Sequence, residues 1–92
     1  METVKLSKPL TVKGKDLTEV TFNFESLTGN DLMTAEREAR AMGDQTPSVF
    51  ASMRFQAILA GKMVGVPADD ILALPAADFK NVIYVVASFL LS

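Results

Sequence analysis

Neither cysteine nor histidine occurs in these 92 residues. Without cysteine there is no disulfide framework, no thiolate nucleophile and no thiolate metal site, and nothing argues for secretion. Without histidine, the commonest metal ligand and the commonest general base near neutral pH are both missing. A charge excess is lacking too: nine Lys and Arg against eleven Asp and Glu leave a net −2, not the basic footprint that nucleic acid demands. The longest apolar run, residues 82–91, is broken by Ser88. It falls short of the roughly 20 residues a membrane span needs. Met1-Glu2-Thr3-Val4-Lys5 lacks the apolar centre of a signal peptide. A soluble cytoplasmic protein without nucleic-acid or membrane partners is the expectation.

What is present suits a packed core. The chain is 49% hydrophobic and 22% charged, which excludes a disordered tail, and its length suits a single domain over residues 1–92. No repeat, low-complexity tract or linker divides it.

The first 26 residues read as β-structure. Val4, Leu6, Leu10 and Val12 alternate with polar residues, and after Lys13-Gly14-Lys15-Asp16 the alternation resumes at Val20, Phe22 and Phe24. This predicts a hairpin. A two-residue Lys13-Gly14 loop would pair Val12 with Lys15 and put the two apolar rows on opposite faces. A three-residue loop would keep them together, with Leu6 opposite Phe22 and Val4 opposite Phe24. An odd-length loop or a compensating bulge near Pro9, which cannot donate to a ladder, reconciles the rows.

From Leu27 the period becomes helical. Thr28 or Asn30 can cap a first helix ending near Met42 and Gly43, with Asp31 in its first turn. Its inner face is thin (Leu32, Ala35, Ala39, Met42), and Glu36 and Arg40 are spaced to pair. Thr46 and Pro47 carry the signature of a second helix start, running to Val64 and stopping at Gly65. Residues 68–72 suggest a short helical turn with acids at its start. Pro75 then opens a last helix, with Asp78 suiting its positive end. The fold class is therefore α+β: an N-terminal β-hairpin (1–26) followed by a small bundle of three helices with one additional short turn (27–92), ββααα.

The last helix is the most informative. Phe79, Val82, Ile83, Val86, Phe89 and Leu90 form one apolar stripe, while Tyr84, Val85 and Leu91 point elsewhere. A helix this short in a chain this small cannot bury apolar side chains all round against its own fold, so either the fold covers both faces or another polypeptide covers one. Other candidate sites are weaker. Asp69 and Asp70 are adjacent, so on a helix they point about 100° apart and converge poorly on a metal; charge at a helix start explains them. Lys5, Lys8, Lys13 and Lys15 suit edge protection or solubility better than phosphate binding. Lys13-Gly14-Lys15 lacks P-loop spacing, and no Gly-x-Ser-x-Gly elbow appears. Met33, Met42, Met53 and Met63 either fill core gaps or form an adaptable surface. No catalytic, cofactor or metal residue is proposed, and no enzyme is expected.

Taken in order, several short motifs resemble one family. Lys5-Leu6-Ser7-Lys8-Pro9-Leu10, Val12-Lys13-Gly14-Lys15 and Leu17-Thr18-Glu19-Val20 are similar to the opening of the phage tail assembly chaperones, of the tail protein E type of Mu-like phages and prophages. Leu27-Thr28-Gly29-Asn30-Asp31-Leu32 resembles the approach to that family's first helix. Gly65-Val66-Pro67, Leu74-Pro75-Ala76-Ala77-Asp78-Phe79 and Phe89-Leu90 resemble its final third. The resemblance implies a non-catalytic chaperone in the host bacterial cytoplasm, absent from the finished virion. It would bind the helix-rich tape measure protein and hold it soluble until tail tube subunits polymerise around it. In some systems a frameshifted longer product recruits the tail tube protein.

A tape measure presents long apolar helical stripes, which a binder would meet with a groove lined by spaced anchors. Phe50, Met53, Val82, Val85, Phe89 and Leu90 are the candidates for that groove. Many copies along one client would gain avidity, so a homo-oligomer is expected. Two rivals are a structural subunit of a tail or secretion-like particle, and a transcriptional or antitoxin-like regulator. The second helix has only Arg54 and Lys62 as basic residues, which speaks against the regulator.

Overall fold

The alternating N-terminal segments become β1 (Glu2–Val12) and β2 (Lys15–Phe22), an antiparallel pair, in the computed structural model, which describes residues 1–92. Lys13 and Gly14 make a two-residue loop with φ of 52° and 81°, the twist that matches a hairpin's strands. Val12 therefore lies opposite Lys15, and the odd-length loop is not used. The compensating bulge is. Between the pairs Lys5–Glu19 and Leu10–Leu17, residues 6–9 of β1 stand against Thr18 alone. Val4 consequently faces Val20, and Phe22 faces Glu2, so the pairings of Leu6 with Phe22 and Val4 with Phe24 do not occur. The bulge lets Val4, Leu6 and Leu10 from one strand, and Val20 and Phe22 from the other, enter one core.

The helices are α1 (Gly29–Ala41), α2 (Met53–Val64), α3 (Ala68–Leu72) and α4 (Ala76–Leu91), with 3-10 turns at Phe24–Ser26 and Val49–Ala51. The architecture is α+β, two strands followed by helices. Thr28 and Asp31 form a reciprocal capping box at the start of α1. Ala35 and Ala39 are its only fully enclosed residues, so α1 docks closely through a thin face.

At the centre lies α2, where every residue from Phe55 to Gly61 is buried. A Cβ on Gly61 would fall 2.6 Å from the Val66 carbonyl oxygen, so only glycine lets the following turn fold back this tightly. Ile71 of α3 and Val82 and Val86 of α4 close the core.

Two boundaries differ from the sequence reading. The second helix starts at Met53, six residues after Pro47. Asp44 accepts hydrogen bonds from the Thr46 backbone N–H (2.9 Å) and hydroxyl (2.6 Å), so Thr46 is tied into a loop instead of capping. Ser52 caps α2, its hydroxyl accepting from the Phe55 N–H at 3.2 Å. That hydroxyl donates in turn to Asp44. Together the three donors hold the Asp44 carboxyl down to about 2, from an ordinary 3.8. At the second boundary, Pro75 stands one residue ahead of α4, as its extended ψ of 147° requires.

Asp78 does more than favour a helix start. Its carboxylate accepts from the Ser7 N–H (3.0 and 3.1 Å), the Ser7 hydroxyl (3.0 Å) and the Lys8 N–H (3.2 Å). The bulge frees these backbone donors, and a buried side chain from the far end of the chain satisfies them. The Ser7 N–H chiefly, with the Ser7 hydroxyl and the Lys8 N–H, keeps the Asp78 carboxyl below its usual value, against the opposing effect of burial.

Candidate functional site

No group of three Asp or Glu residues is arranged to hold a metal ion, and Asp69 and Asp70 stand exposed at the start of α3. No helix is long and apolar enough to cross a membrane. What the surface offers is apolar area. Met33, Met42, Phe50, Met53, Leu72, Tyr84, Phe89 and Leu91 are all exposed. They are spread over α1 and its C-cap, the Val49–Ala51 turn, α2, α3 and α4, with three of them on α4.

On α4 the enclosed stripe is narrow: Asp78, Val82 and Val86, each one turn from the next. Phe79, Ile83, Val85 and Leu90 flank it half-buried. Tyr84 (74% exposed), Leu91 (58%) and Phe89 (42%) lie outside. Val82, expected to line the groove, has no exposed surface and sits in the core of the single chain. A partner can reach the helix only through Val85, Phe89, Leu90 and their exposed neighbours. Phe89 is held by the ring of Phe24, stacked at 4.5 Å and 11°.

The remaining two candidates stand apart. Phe50 was expected on the second helix, but it sits on the 3-10 turn before it, its ring 5.7 Å from that of Phe55. This turn packs beside α4. Gln56 reaches out of α2 to donate to the Phe50 carbonyl at 2.8 Å, which fixes the turn; its own side-chain oxygen is buried without a partner. Met53 opens α2, 62% exposed, in a cleft it shares with Leu72 and Phe79. Phe50 lines a different cleft, of about 400 Å³, with Leu32, Met33 and Val49. The six candidates thus divide among the core, the half-buried flanks and last turns of α4, and two clefts.

Leu32, Met33 and Val49 line the cleft of Phe50, although the sequence places none of them among the six groove candidates. Leu32 reads as an inner-face residue of a docked helix, and Val49 as part of a helix that starts later than its sequence suggests. Met33 carries the one available signal, a flexible apolar side chain exposed on a helix that also exposes Arg37, Glu38 and Arg40.

The family model described as "Phage tail assembly chaperone proteins, E, or 41 or 14" matches residues 3–91. No curated protein and no solved structure matches the chain. The coverage is nearly complete, and the chain belongs to this family; its role is that of a tail assembly chaperone.

Proposed function

We propose that this tail assembly chaperone works without catalysis, by binding the helical tape measure protein and keeping it soluble before tail tube subunits polymerise around it. The observation that carries the reading is the uncovered apolar surface of α4 and its neighbourhood, where Tyr84, Phe89, Leu91, Phe50 and Met53 face solvent. A long client helix with an unpaired apolar stripe would associate wrongly if left bare, and anchors of this kind at helical spacing are what cover such a stripe.

In this reading Val85, Phe89 and Leu90 form the α4 part of the binding surface, and Phe50 and Met53 supply further anchors from two separate clefts near the start of α2. One copy covers only a short length of client. Several copies bound along the same helix reinforce one another through effective concentration, so the working form is multiple. The complex belongs in the host cytoplasm and is dismantled before the particle is complete.

Co-expression with the long helical protein encoded immediately downstream tests this reading. Wild-type chaperone should retain that protein in the soluble fraction, and Phe89→Asp should lose it while circular dichroism stays unchanged. A client that stays equally soluble with the variant, or without any chaperone, would refute the reading. Mass spectrometry of purified particles separates the structural-subunit alternative: a chaperone is missing from them, a subunit is present.

A further inference from the structure

We propose that two copies of this chain pair antiparallel through the outer edge of β2, with the two-fold axis at Leu17. The contact is separate from the client surface on α4 and does not depend on the client reading. A two-stranded sheet has two outer edges, and here they differ. The edge of β1 is closed. Its ladder breaks between Lys5 and Leu10, Pro9 has no N–H to give, and the Ser7 and Lys8 amides are taken by Asp78. β2 has neither proline nor glycine from Lys15 to Phe22, and apart from its ladder to β1 none of its backbone groups meets another main-chain partner. A helical client spends its backbone groups on itself, so an open edge of this kind calls for an extended strand.

Alternation and charge together choose the occupant and its register. The two-residue loop makes Val12 and Lys15 the closing hydrogen-bonded pair. Lys15, Leu17 and Glu19 therefore turn their backbone groups toward β1, and Asp16, Thr18 and Val20 turn theirs outward. With the axis at Leu17, Asp16 of one copy bonds opposite Thr18 of the other. Lys15 then stands opposite Glu19 twice, and Leu17, half-buried in the single chain, meets its own copy. These facing pairs occupy the non-hydrogen-bonded positions, where side chains approach most closely. Lys15 and Glu19 are exposed, and neither belongs to an ion pair within the chain, although Lys5 lies across the ladder from Glu19. Other axes fit worse. An axis at Asp16 or Glu19 would set a carboxylate against itself, and one at Thr18 would place Glu19 against Leu17.

Sedimentation of the full-length protein over a range of concentrations, without client, should show a monomer–dimer equilibrium. Lys15→Glu and Glu19→Lys should each weaken the dimer several-fold, and the two together should restore it, with circular dichroism unchanged throughout. The chain has no cysteine, so Leu17→Cys puts a single thiol at the axis. Mild oxidation should cross-link it to its own copy, whereas Thr3→Cys on β1 should stay uncross-linked. A monomer at millimolar concentration, a dimer indifferent to the single swaps, or a double swap that fails to restore it would overturn the proposal. So would a dimer that Leu91→Ser dissociates, since α4 would then be the contact. Retention of the co-expressed client is read separately, so either result can fail without the other.

Discussion

Helices α2 and α4 are both rich in apolar residues and carry two charged side chains each, Arg54 and Lys62 on one, Asp78 and Lys80 on the other. Their fates are opposite. Seven consecutive residues of α2 are enclosed, because the hairpin, α1, α3 and α4 all pack on it. On α4 only the stripe of Asp78, Val82 and Val86 is enclosed, and three large apolar side chains stand outside. Composition does not separate the two helices; the number of neighbours does. Surface that is apolar by sequence and bare in the fold is what a partner can use, and α4 leaves Tyr84, Phe89 and Leu91 bare where α2 leaves only Met53.

The largest effects should come from attacking α2. Leu59→Ala removes a fully enclosed side chain and should cost about 2–5 kcal/mol by urea denaturation. A small loss would mean that α2 is not the core. Gly61→Ala should cost roughly 1–3 kcal/mol, because the added Cβ meets backbone at 2.6 Å and the turn after α2 has to shift.

Asp78 sharpens the comparison, because it ties α4 to the hairpin. Its folded pKa is lowered, so its stabilising contribution is present above the ordinary carboxylate value and is lost as pH falls through the lowered one. Asp78→Asn should weaken the fold at neutral pH and flatten the acid limb of its stability curve. Asp44 obeys the same sign, and its contribution disappears as pH drops from about 3.8 toward about 2. Amide exchange at Ser7 and Lys8 should accelerate in Asp78→Asn before other core amides change.

The smallest effect on stability should come from the outer side of α4. Leu91→Ser should change stability by no more than about 0.5 kcal/mol, since the side chain is mostly in water. Phe89→Ala, which also loses the stack on Phe24, should cost about 1 kcal/mol. Both should nonetheless reduce client retention. A variant that harms folding as much as Leu59→Ala would show that this surface belongs to the core after all.

The elements were legible where local pattern decides. Period-two alternation marked the hairpin, and Thr28 with Asp31 and the glycines at 43 and 65 marked helix ends. Legibility failed where distant residues decide. The hairpin register depends on a bulge whose freed amides are satisfied by Asp78, some 70 positions away. The start of α2 was misread because Thr46-Pro47 has the form of a cap, and nothing local reveals that Asp44 binds that threonine and passes the role to Ser52. On α4, spacing identified an apolar stripe but not its inner edge. Val82 and Phe89 share that stripe in sequence, yet one is enclosed and the other is not, because the packed neighbours fade toward the end of the helix.

The most direct measurement is an NMR comparison of the labelled chaperone alone and in complex with its client. The account predicts that signals of Tyr84, Val85, Phe89 and Leu91 shift and lose solvent accessibility on binding, while those of Leu59 and Val82 stay in place. If the client binds and the outer side of α4 remains as accessible as before, the claim that this bare surface is the client's seat is contradicted.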